Sequence, residues 1–261
     1  MSKVIAVTNQ KGGVGKTTTA INLAAALALD GRNVLLVDCD AQGNATSGLG
    51  QKGKRAPGGT IYEALTGNDV NVRDFILPTG IDRLSLIPAT RDLSGAEIEL
   101  ITIDDRERRL KNLLAPLGDE YDFVIIDSPP SLGLLTLNAL VAADRVLIPL
   151  HCEYFALEGL ADLVGTMRRV RASLNPSLDI EGVLLTMNDE RTNLGQQVSK
   201  DVREFFKDKV YRTVIPRNVR LAEAPSHGLP AVTYDARSRG AEAYFAFAKE
   251  VLERNEPALA S

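Results

Sequence analysis

The segment 9–18, which reads NQKGGVGKTT, constrains the fold more than any other part of this 261-residue chain. It follows an apolar run, residues 3–8, that predicts a buried strand. It opens an Ala- and Leu-rich run, Lys16–Leu29, that predicts a helix ending before Gly31. Glycines in such a turn let backbone N–H groups point inward, near the positive end of the following helix. A strand, a glycine-rich turn and a helix in this order predict a phosphate-binding loop.

The residue types in this loop indicate nucleotide chemistry. Lys16 is expected to reach the β- and γ-phosphates, and the Thr17 hydroxyl to coordinate Mg²⁺. A purely structural glycine-rich turn is the alternative, but it does not require Gly-Lys-Thr directly after a strand. A dinucleotide-binding turn fits less well, because Thr18 stands where its third glycine belongs.

Apolar runs alternate with helical patterns along the rest of the chain. Further strands are predicted at residues 33–38, 84–87, 123–127, 145–150, 182–187 and 210–215, and helices at 93–117, 136–142, 157–174, 194–206 and 241–254. This alternation predicts an α/β fold with a doubly wound, mostly parallel sheet and helices on both faces. We expect residues 1–254 to form a single ATPase domain and residues 255–261 a disordered tail.

Composition narrows the class of protein. The chain is 44% hydrophobic and 25% charged, which is typical of a globular protein, and its formal charge of −4 argues against a wholly basic nucleic-acid binder. Cys39 and Cys152 are too few for a disulfide framework, so a reducing, cytoplasmic location is expected. No N-terminal signal and no apolar run of the ~20 residues needed to span a membrane are visible.

Two acidic segments follow predicted strands. VDCDAQGNAT carries Asp38 at a strand end and Asp40 two residues later, and FVIIDSPP carries Asp127 at the end of another strand. Ligands bind at the carboxyl ends of strands in open α/β sheets, so Asp38 and Asp127 are candidate Mg²⁺ residues. Asp40 is a candidate to orient an attacking water. Taken singly, each aspartate is equally well explained as a cap or turn residue.

The loop departs from the standard G-x-x-x-x-G-K-[ST] pattern, because position 10 is Gln and an extra lysine, Lys11, is present. It resembles the deviant Walker A loop, K-G-G-x-G-K-T-[ST], of SIMIBI-type P-loop NTPases. The resemblance assigns ATP binding to the eight loop residues Lys11, Gly12, Gly13, Val14, Gly15, Lys16, Thr17 and Thr18. It also implies that Lys11 reaches across a dimer interface to the partner's nucleotide; a solvated loop lysine is the alternative.

Segments across nearly the whole chain, among them DAQGNATSGLG, YDFVIIDSPPSLGLLTLNAL and VIPRNVRLAEAPSHGLP, resemble the ParA/Soj chromosome-partition ATPases. The resemblance implies a Mg²⁺-dependent ATPase that forms an ATP-bound sandwich homodimer, binds DNA non-specifically and is released when a ParB-like protein stimulates hydrolysis. A nucleoid-associated location follows. Lys11, Lys16 and Asp40 become the catalytic residues. Ala41 departs from the family, where proline is usual.

The resemblance also suggests DNA and adenine contacts. Arg191 and Arg220 match positions that contact DNA in Soj-like proteins. Six basic residues against two acidic ones between residues 203 and 220 support a local basic face, although a solvated helix face is the alternative: Arg203, Lys207, Lys209, Arg212, Arg217 and Arg220 against Glu204 and Asp208. Adenine is expected near Met187, Pro216 and Asn218, although Asn188 stands where the family has an aromatic residue.

Two other functions remain open at this point. A P-loop ligase or kinase with a small-molecule substrate would need an acceptor pocket, which no motif indicates. A membrane-positioning ATPase related to MinD would need a basic amphipathic C-terminal helix, and FAFAKEVLERNEPALAS is short and insufficiently basic. Cysteines that could bridge a cluster, as in nitrogenase-iron-protein relatives, are absent, and Cys39 and Cys152 are expected to pack as small core residues.

Overall fold

One eight-stranded sheet forms the centre of the molecule in the computed structural model, which describes residues 2–153, 156–188 and 193–255. The strands are β1 (Lys3–Val7), β2 (Val34–Asp38), β3 (Leu77–Pro78), β4 (Leu84–Ile87), β5 (Phe123–Asp127), β6 (Arg145–His151), β7 (Asp179–Asn188) and β8 (Val210–Pro216). Their order across the sheet is β3-β4-β2-β5-β1-β6-β7-β8. Every neighbouring pair is parallel except β3 with β4, so the predicted mostly parallel sheet is confirmed.

Helices cover both faces of this sheet. They are α1 (Lys16–Leu29), α2 (Asn44–Gly48), α3 (Ile61–Thr66), α4 (Leu93–Glu99), α5 (Arg109–Leu114), α6 (Leu134–Ala142), α7 (Ala156–Ser173), α8 (Asn193–Phe206), α9 (Val219–Glu223), α10 (Ala231–Tyr234) and α11 (Arg239–Asn255). The core under one face is built with α3 to α8, and the core under the other with α1, α10 and α11. Since the inner strands β1, β2 and β5 are covered on both faces, their continuous apolar runs, which predicted a doubly wound sheet, are explained.

Helix α1 has the predicted bounds for local reasons. Its Ala- and Leu-rich sequence is buried along most of its length, which suits a helix that packs both on the sheet and against α11. Gly31, at φ 92°, ends it, and the N–H of Arg32 turns back to the carbonyl of Leu27. Only glycine adopts such a backbone conformation without strain.

The single helix predicted over residues 93–117 is wrong. Helix α4 ends at Glu99, a short 3₁₀ turn follows, and α5 begins only at Arg109. A side chain on α6 explains the break: Asn138 donates to the carbonyl of Arg106 at 2.8 Å and accepts from the N–H of Leu110 at 3.1 Å. These contacts hold the intervening backbone in an irregular path that the local sequence does not predict.

Strand β8 lies at one edge of the sheet, and α11 covers its outer side. Glu250 on α11 is 4% exposed and accepts from the backbone N–H groups of Arg212 and Thr213, at 2.8 and 3.0 Å. An open edge would leave these donors without partners or expose them to another strand. The carboxylate of Glu250 therefore satisfies the edge of the sheet.

Within residues 2–153, 156–188 and 193–255, none of the helices combines the length and the apolar composition of a membrane-spanning segment.

Candidate nucleotide-binding site

The loop after β1 forms a cradle lined by its own backbone. Gly13 and Gly15 have φ angles of 74° and 86°, and Gly15 is the residue from which α1 starts. Asn9 holds the base of the loop: its side-chain nitrogen donates to the carbonyl of Pro149 at 2.8 Å, and its side-chain oxygen accepts from the N–H of Lys11 at 3.0 Å. The positive end of α1 faces the same cradle, as anion binding requires.

Lys16 lies inside this cradle and is only 7% exposed. Its Nζ donates to the carbonyl of Lys11 at 3.0 Å, which leaves further N–H donors for an anion. Burial lowers the pKa of Lys16, while the charges of Asp127 and Asp40 oppose that shift. A buried ammonium facing two carboxylates suits a site that binds a phosphate together with a divalent cation.

The carboxyl ends of β1, β2 and β5 place Asp38 and Asp127 at the same edge of the sheet. In the register of the sheet, Asp127 on β5 stands opposite Val7 on β1 and opposite Asp38 on β2. Both aspartates are fully buried. Asp38 and Asp127, which are distant in sequence, therefore lie beside the phosphate loop that begins after Val7.

The buried carboxylate of Asp127 lacks hydrogen-bond partners in the part of the chain that the structure describes. Both of its carboxylate oxygens are buried, and neither has a hydrogen-bond partner among the described residues. Burial raises the pKa of Asp127 well above its usual value, and the charge of Asp38 adds to the shift. The Thr17 hydroxyl is close enough to oppose this shift but does not reach hydrogen-bond geometry. A buried carboxylate without donors calls for a cation.

The donor set fits Mg²⁺. Among the described residues, no group of three or more His, Cys, Asp or Glu side chains forms a metal cage. Mg²⁺ is usually held by one or two carboxylates together with substrate phosphates and water, so it does not need such a cage. The unpartnered oxygens of Asp127 and the nearby Thr17 hydroxyl are the groups suited to hold it.

Asp38 is held in place more firmly than Asp127. One of its oxygens accepts from the N–H and from the hydroxyl of Thr46, at 2.8 and 2.7 Å, and the other accepts from the N–H of Asp40 at 3.2 Å. Burial raises the pKa of Asp38 to about 6. Asp40 itself is half-buried and accepts from the N–H of Gln42 at 2.9 Å. Asp38 thus organises the loop that carries Asp40.

Lys11 points away from its own cradle. Its Nζ forms an ion pair with Glu153, just beyond the end of β6, and the other oxygen of Glu153 lies 2.8 Å from Nδ1 of His151. The charge of Lys11 is therefore balanced at the rim of the site, whereas Lys16 occupies the interior.

The predicted adenine residues lie at two neighbouring strand ends. Residue 188 at the end of β7 pairs with Pro216 at the end of β8, so Met187 and Pro216 are brought close together. Thr186 ties this region to the phosphate loop through its hydroxyl, which donates to the carbonyl of Val14 at 2.8 Å. The side-chain oxygen of Asn218 accepts from the N–H of Arg220 at the start of α9, which leaves its amide nitrogen as a donor.

Comparison with known proteins decides the family. A family model described as an AAA domain matches residues 2–180. The chain is 60% identical over 251 residues to the sporulation initiation inhibitor protein Soj of Bacillus subtilis, covering 96% of this chain and 98% of the relative. It is 56% identical over 257 residues to the chromosome partitioning protein ParA of Myxococcus xanthus, covering 98% and 90%. The chain belongs to the ParA/Soj family of chromosome-partition ATPases.

A solved structure with a different name is also similar. Cobyrinic acid a,c-diamide synthase from Mycobacterium smegmatis, with bound ADP and magnesium, has a TM-score of 0.83 and 41% identity, covering 97% of this chain and 95% of that one. The predicted ParA/Soj family, its ATPase class and the P-loop fold are confirmed by these comparisons. The two cysteines are free and buried, as the sequence suggested.

Of the two arginines expected to contact DNA, the structure describes only Arg220. Arg191 lies outside the described residues. Arg220 is about half exposed, and its guanidinium lies 2.7 Å from Glu223 and 3.2 Å from Asp235. A DNA phosphate at Arg220 must therefore compete with two carboxylates.

Several basic residues of the stretch between residues 203 and 220 lie far apart and are ion-paired. Lys209 precedes β8 and Arg220 follows it, so about 20 Å of strand separates them. Lys209 pairs with Asp179 at 3.2 Å, and Arg212 pairs with Glu253 at 2.6 Å. Three of the six basic residues, Lys209, Arg212 and Arg220, thus already have acidic partners.

Some candidate site residues carried no sequence signal. Thr46 anchors Asp38, and Glu153 binds the signature lysine of the family, yet both are common residue types at unremarkable positions. The side-chain nitrogen of Gln10 is buried without an acceptor among the described residues, so it is available to a ligand. Only the placement of these residues around the loop after β1 identifies them.

Proposed function

We propose that this chain is an ATP-hydrolysing DNA-segregation protein with ATP and Mg²⁺ as cofactors. In this proposal, ATP binding forms a sandwich homodimer, the dimer binds DNA non-specifically, and a ParB-like protein stimulates hydrolysis and so releases it. Residues 1–254 act as one ATPase domain in a nucleoid-associated protein. The family, which contains relatives named for chromosome partitioning, supports this assignment.

One observation carries the ATP and Mg²⁺ assignment: Asp127 presents two buried, unpartnered oxygens beside Lys16 and Thr17. Lys16 and the loop N–H groups would bind the β- and γ-phosphates, while Thr17 and Asp127 would hold Mg²⁺. The ion would neutralise phosphate charge during transfer to water. Each buried charge then gains the partner that it lacks without a ligand.

Asp40 is proposed to orient the attacking water. Its charge is close enough to raise the pKa of buried Lys16, and one of its oxygens accepts a hydrogen bond from Gln42. Asp38 supports this role by holding the N–H of Asp40. Asp40→Ala is therefore expected to bind ATP without turning it over.

Dimer formation is proposed to depend on Lys11, which the resemblance assigns to the partner's nucleotide. Its ion pair with Glu153 is about half exposed, and exposed pairs contribute only about 0–1 kcal/mol. A nucleotide carries several negative charges in a site that is sheltered from water, so it competes strongly with one exposed carboxylate.

Gly12→Val tests the dimer with little risk to the monomer. An added Cβ at Gly12 has no atom within 4 Å, and the backbone there needs no positive φ. The variant should fold and bind ATP, yet it should remain monomeric by light scattering because the two loops approach closely in a sandwich dimer. Gly80→Val is the matched control, since Gly80 also has open space around it. An ATP-dependent dimer of Gly12→Val would contradict this arrangement.

DNA binding is tested by titration with ATP, with ADP and without nucleotide, at several salt concentrations. Each neutralised phosphate contributes about 0.9 to the salt slope, so a dimer should show about twice the slope of a monomer. Arg191→Glu with Arg220→Glu should abolish binding, whereas Arg73→Glu, another exposed and ion-paired arginine, should not. Equal DNA affinity with ATP and ADP would refute the proposed coupling.

A small-molecule ligase is the second candidate, because the similar M. smegmatis structure is named as a cobyrinic acid a,c-diamide synthase. Such an enzyme would hydrolyse ATP faster when its acceptor is present. Turnover is therefore to be measured with cobyrinic acid and, separately, with DNA and a ParB-like protein. Stimulation by cobyrinic acid alone would favour the ligase.

A further inference from the structure

A groove between α6 and α7 lies on the outer surface, away from the nucleotide cradle. Its volume is about 220 Å³, and its walls include Leu137 and Leu140 on α6 and Val170 on α7. Leu132, at one end, is 41% exposed. A dry cavity of about 150 Å³ accepts benzene, so this groove has room for a side chain of leucine or phenylalanine size.

Among the described residues that line it, the groove carries a single positive charge. Arg169 is the one charged residue that lines it. The guanidinium of Arg169 donates to the hydroxyl of Thr166 at 3.0 Å, and no carboxylate of the described residues pairs with it. In a chain of net charge −4, an arginine beside an apolar groove without an acidic partner is complementary to a carboxylate from another molecule.

The same groove touches the loop that follows Asp127. Thr136 lines the groove, and its hydroxyl donates to the carbonyl of Ser131 at 2.5 Å and lies 3.5 Å from that of Pro129. Ser128, at the start of this loop, donates to the carbonyl of Val7, the last residue before the phosphate loop. Thr136 therefore links the groove to residues 128–131, and Ser128 links the start of that segment to the strand end before the phosphate loop.

We propose that the groove between α6 and α7 is where the hydrolysis-stimulating partner docks. The partner inserts an apolar side chain of leucine size, next to a carboxylate that pairs with Arg169, and acts on residues 128–131 through Thr136. This inference rests on the proposed function, because it names the contact by which the ParB-like protein reaches the ATPase site. An amphipathic helix with one acidic edge supplies both groups at i, i+3 or i, i+4 spacing.

A second groove, between α7 and α8, provides the matched control. It contains Arg168 and the exposed Phe205, but its lining shares no residue with α6 or with the loop after Asp127. Arg168 and Arg169 are adjacent, exposed and on one helix, so charge reversal at either has the same effect on net charge.

The test measures ATP turnover against the concentration of a purified ParB-like protein from the same organism. Arg169→Glu should raise the partner concentration for half-maximal stimulation by about 10-fold, because it replaces an ion pair with a repulsion at the rim of the groove. Ser173→Trp, which fills the groove from an exposed position, should do the same. Basal ATP turnover of both variants should stay within about 2-fold of the wild type. The partner concentration for half-maximal stimulation of Arg168→Glu should also stay within about 2-fold of the wild-type value.

Variants of Thr136 distinguish binding of the partner from its effect on ATP hydrolysis. Thr136→Val removes the hydroxyl and should leave the partner's affinity within about 2-fold. Maximal stimulation of ATP turnover should fall at least about 5-fold, because residues 128–131 lose their hydrogen bond to the groove. Thr136→Ser keeps the hydroxyl and should retain stimulation. The two variants are compared at a temperature at which both melting curves show folded protein, and full stimulation of Thr136→Val would refute transmission through this hydroxyl.

The outcomes distinguish this inference from the function on which it rests. If the same partner concentration stimulates the wild type, Arg169→Glu and Ser173→Trp equally, the groove is not the docking site. The proposed function would then remain intact. No stimulation of the wild type would refute both. A change in oligomeric state of Ser173→Trp in light scattering, without the partner, would show that a second copy of this chain occupies the groove instead.

Discussion

Replacing Asp38 by asparagine should stabilise the ligand-free protein at high pH, although it removes a candidate ligand. Asp38 is fully buried, and its pKa is about 6 instead of 3.8. Ionising it in the folded state therefore costs about 3 kcal/mol, at 1.36 kcal/mol per unit. Because the folded pKa lies above the unfolded one, the stability from Asp38 is complete below about pH 4 and falls as the pH rises to about 6.

Asparagine keeps the two short contacts with Thr46 but loses the 3.2 Å bond from the N–H of Asp40. A lost bond of this kind costs about 1 kcal/mol, which leaves a net gain of about 2 kcal/mol at pH 8. The melting temperature should rise by about 4–8 °C at pH 8. At pH 4 the wild-type carboxyl is already protonated, so the variant should be the less stable protein by about 1 kcal/mol.

The assay is thermal unfolding at pH 4, 6 and 8, without nucleotide and then with Mg²⁺-ATP. Ligand stabilisation follows RT ln(1 + [L]/Kd), so the variant should gain less from Mg²⁺-ATP than the wild type if Asp38 serves the cation site. Asp82→Asn, at an exposed carboxylate, is the control and should change little at any pH. Equal destabilisation of Asp38→Asn at pH 4 and pH 8 would refute the argument that its ionisation is costly.

Three further predictions concern single residues. Lys16→Ala should abolish ATP binding at millimolar ATP in calorimetry, since it removes the buried ammonium of the cradle; wild-type affinity would contradict the assignment. Asp40→Ala should bind ATP, show no turnover and accumulate as a dimer in light scattering; unchanged hydrolysis would leave Asp40 only a turn role. Glu250→Ala should lower the free energy of unfolding by about 2–4 kcal/mol in urea, because two edge N–H groups lose their acceptor, whereas Glu253→Ala should cost under about 0.5 kcal/mol.

The functional alternatives differ in what the chain must contact besides ATP. The family supports chromosome partitioning. The DNA binding that we propose depends on Arg191, outside the described residues, and on Arg220, which already has two acidic partners. Weak binding by the monomer is therefore expected, and a dimer becomes necessary for a useful affinity. This makes the comparison between ATP and ADP states the informative DNA experiment.

Local features of the site were predictable because neighbouring residues determine them. The phosphate loop follows from glycines that permit positive φ between an apolar strand and an Ala-rich helix, and α1 has the bounds that its sequence predicted. Apolar runs ending in Asp38 and Asp127 likewise predicted two strand ends, because burial on both faces of a sheet requires continuous apolar sequence.

Other features arise only when distant segments meet. The predicted helix over residues 93–117 is broken by Asn138. Two basic residues before Arg220, Lys209 and Arg212, are paired with acids from β7 and α11. The depth at which Asp127 is buried, and its lack of donors, likewise depend on how β1, β2 and β5 align. Backbone preference and hydrophobic periodicity act within a few residues, so the sequence alone determined the seven predicted strands, the loop and the chemistry available, but not the two-residue edge strand β3. Burial and ion pairing depend on which remote side chains become neighbours, so the tertiary structure alone decided which charges are left to bind a ligand.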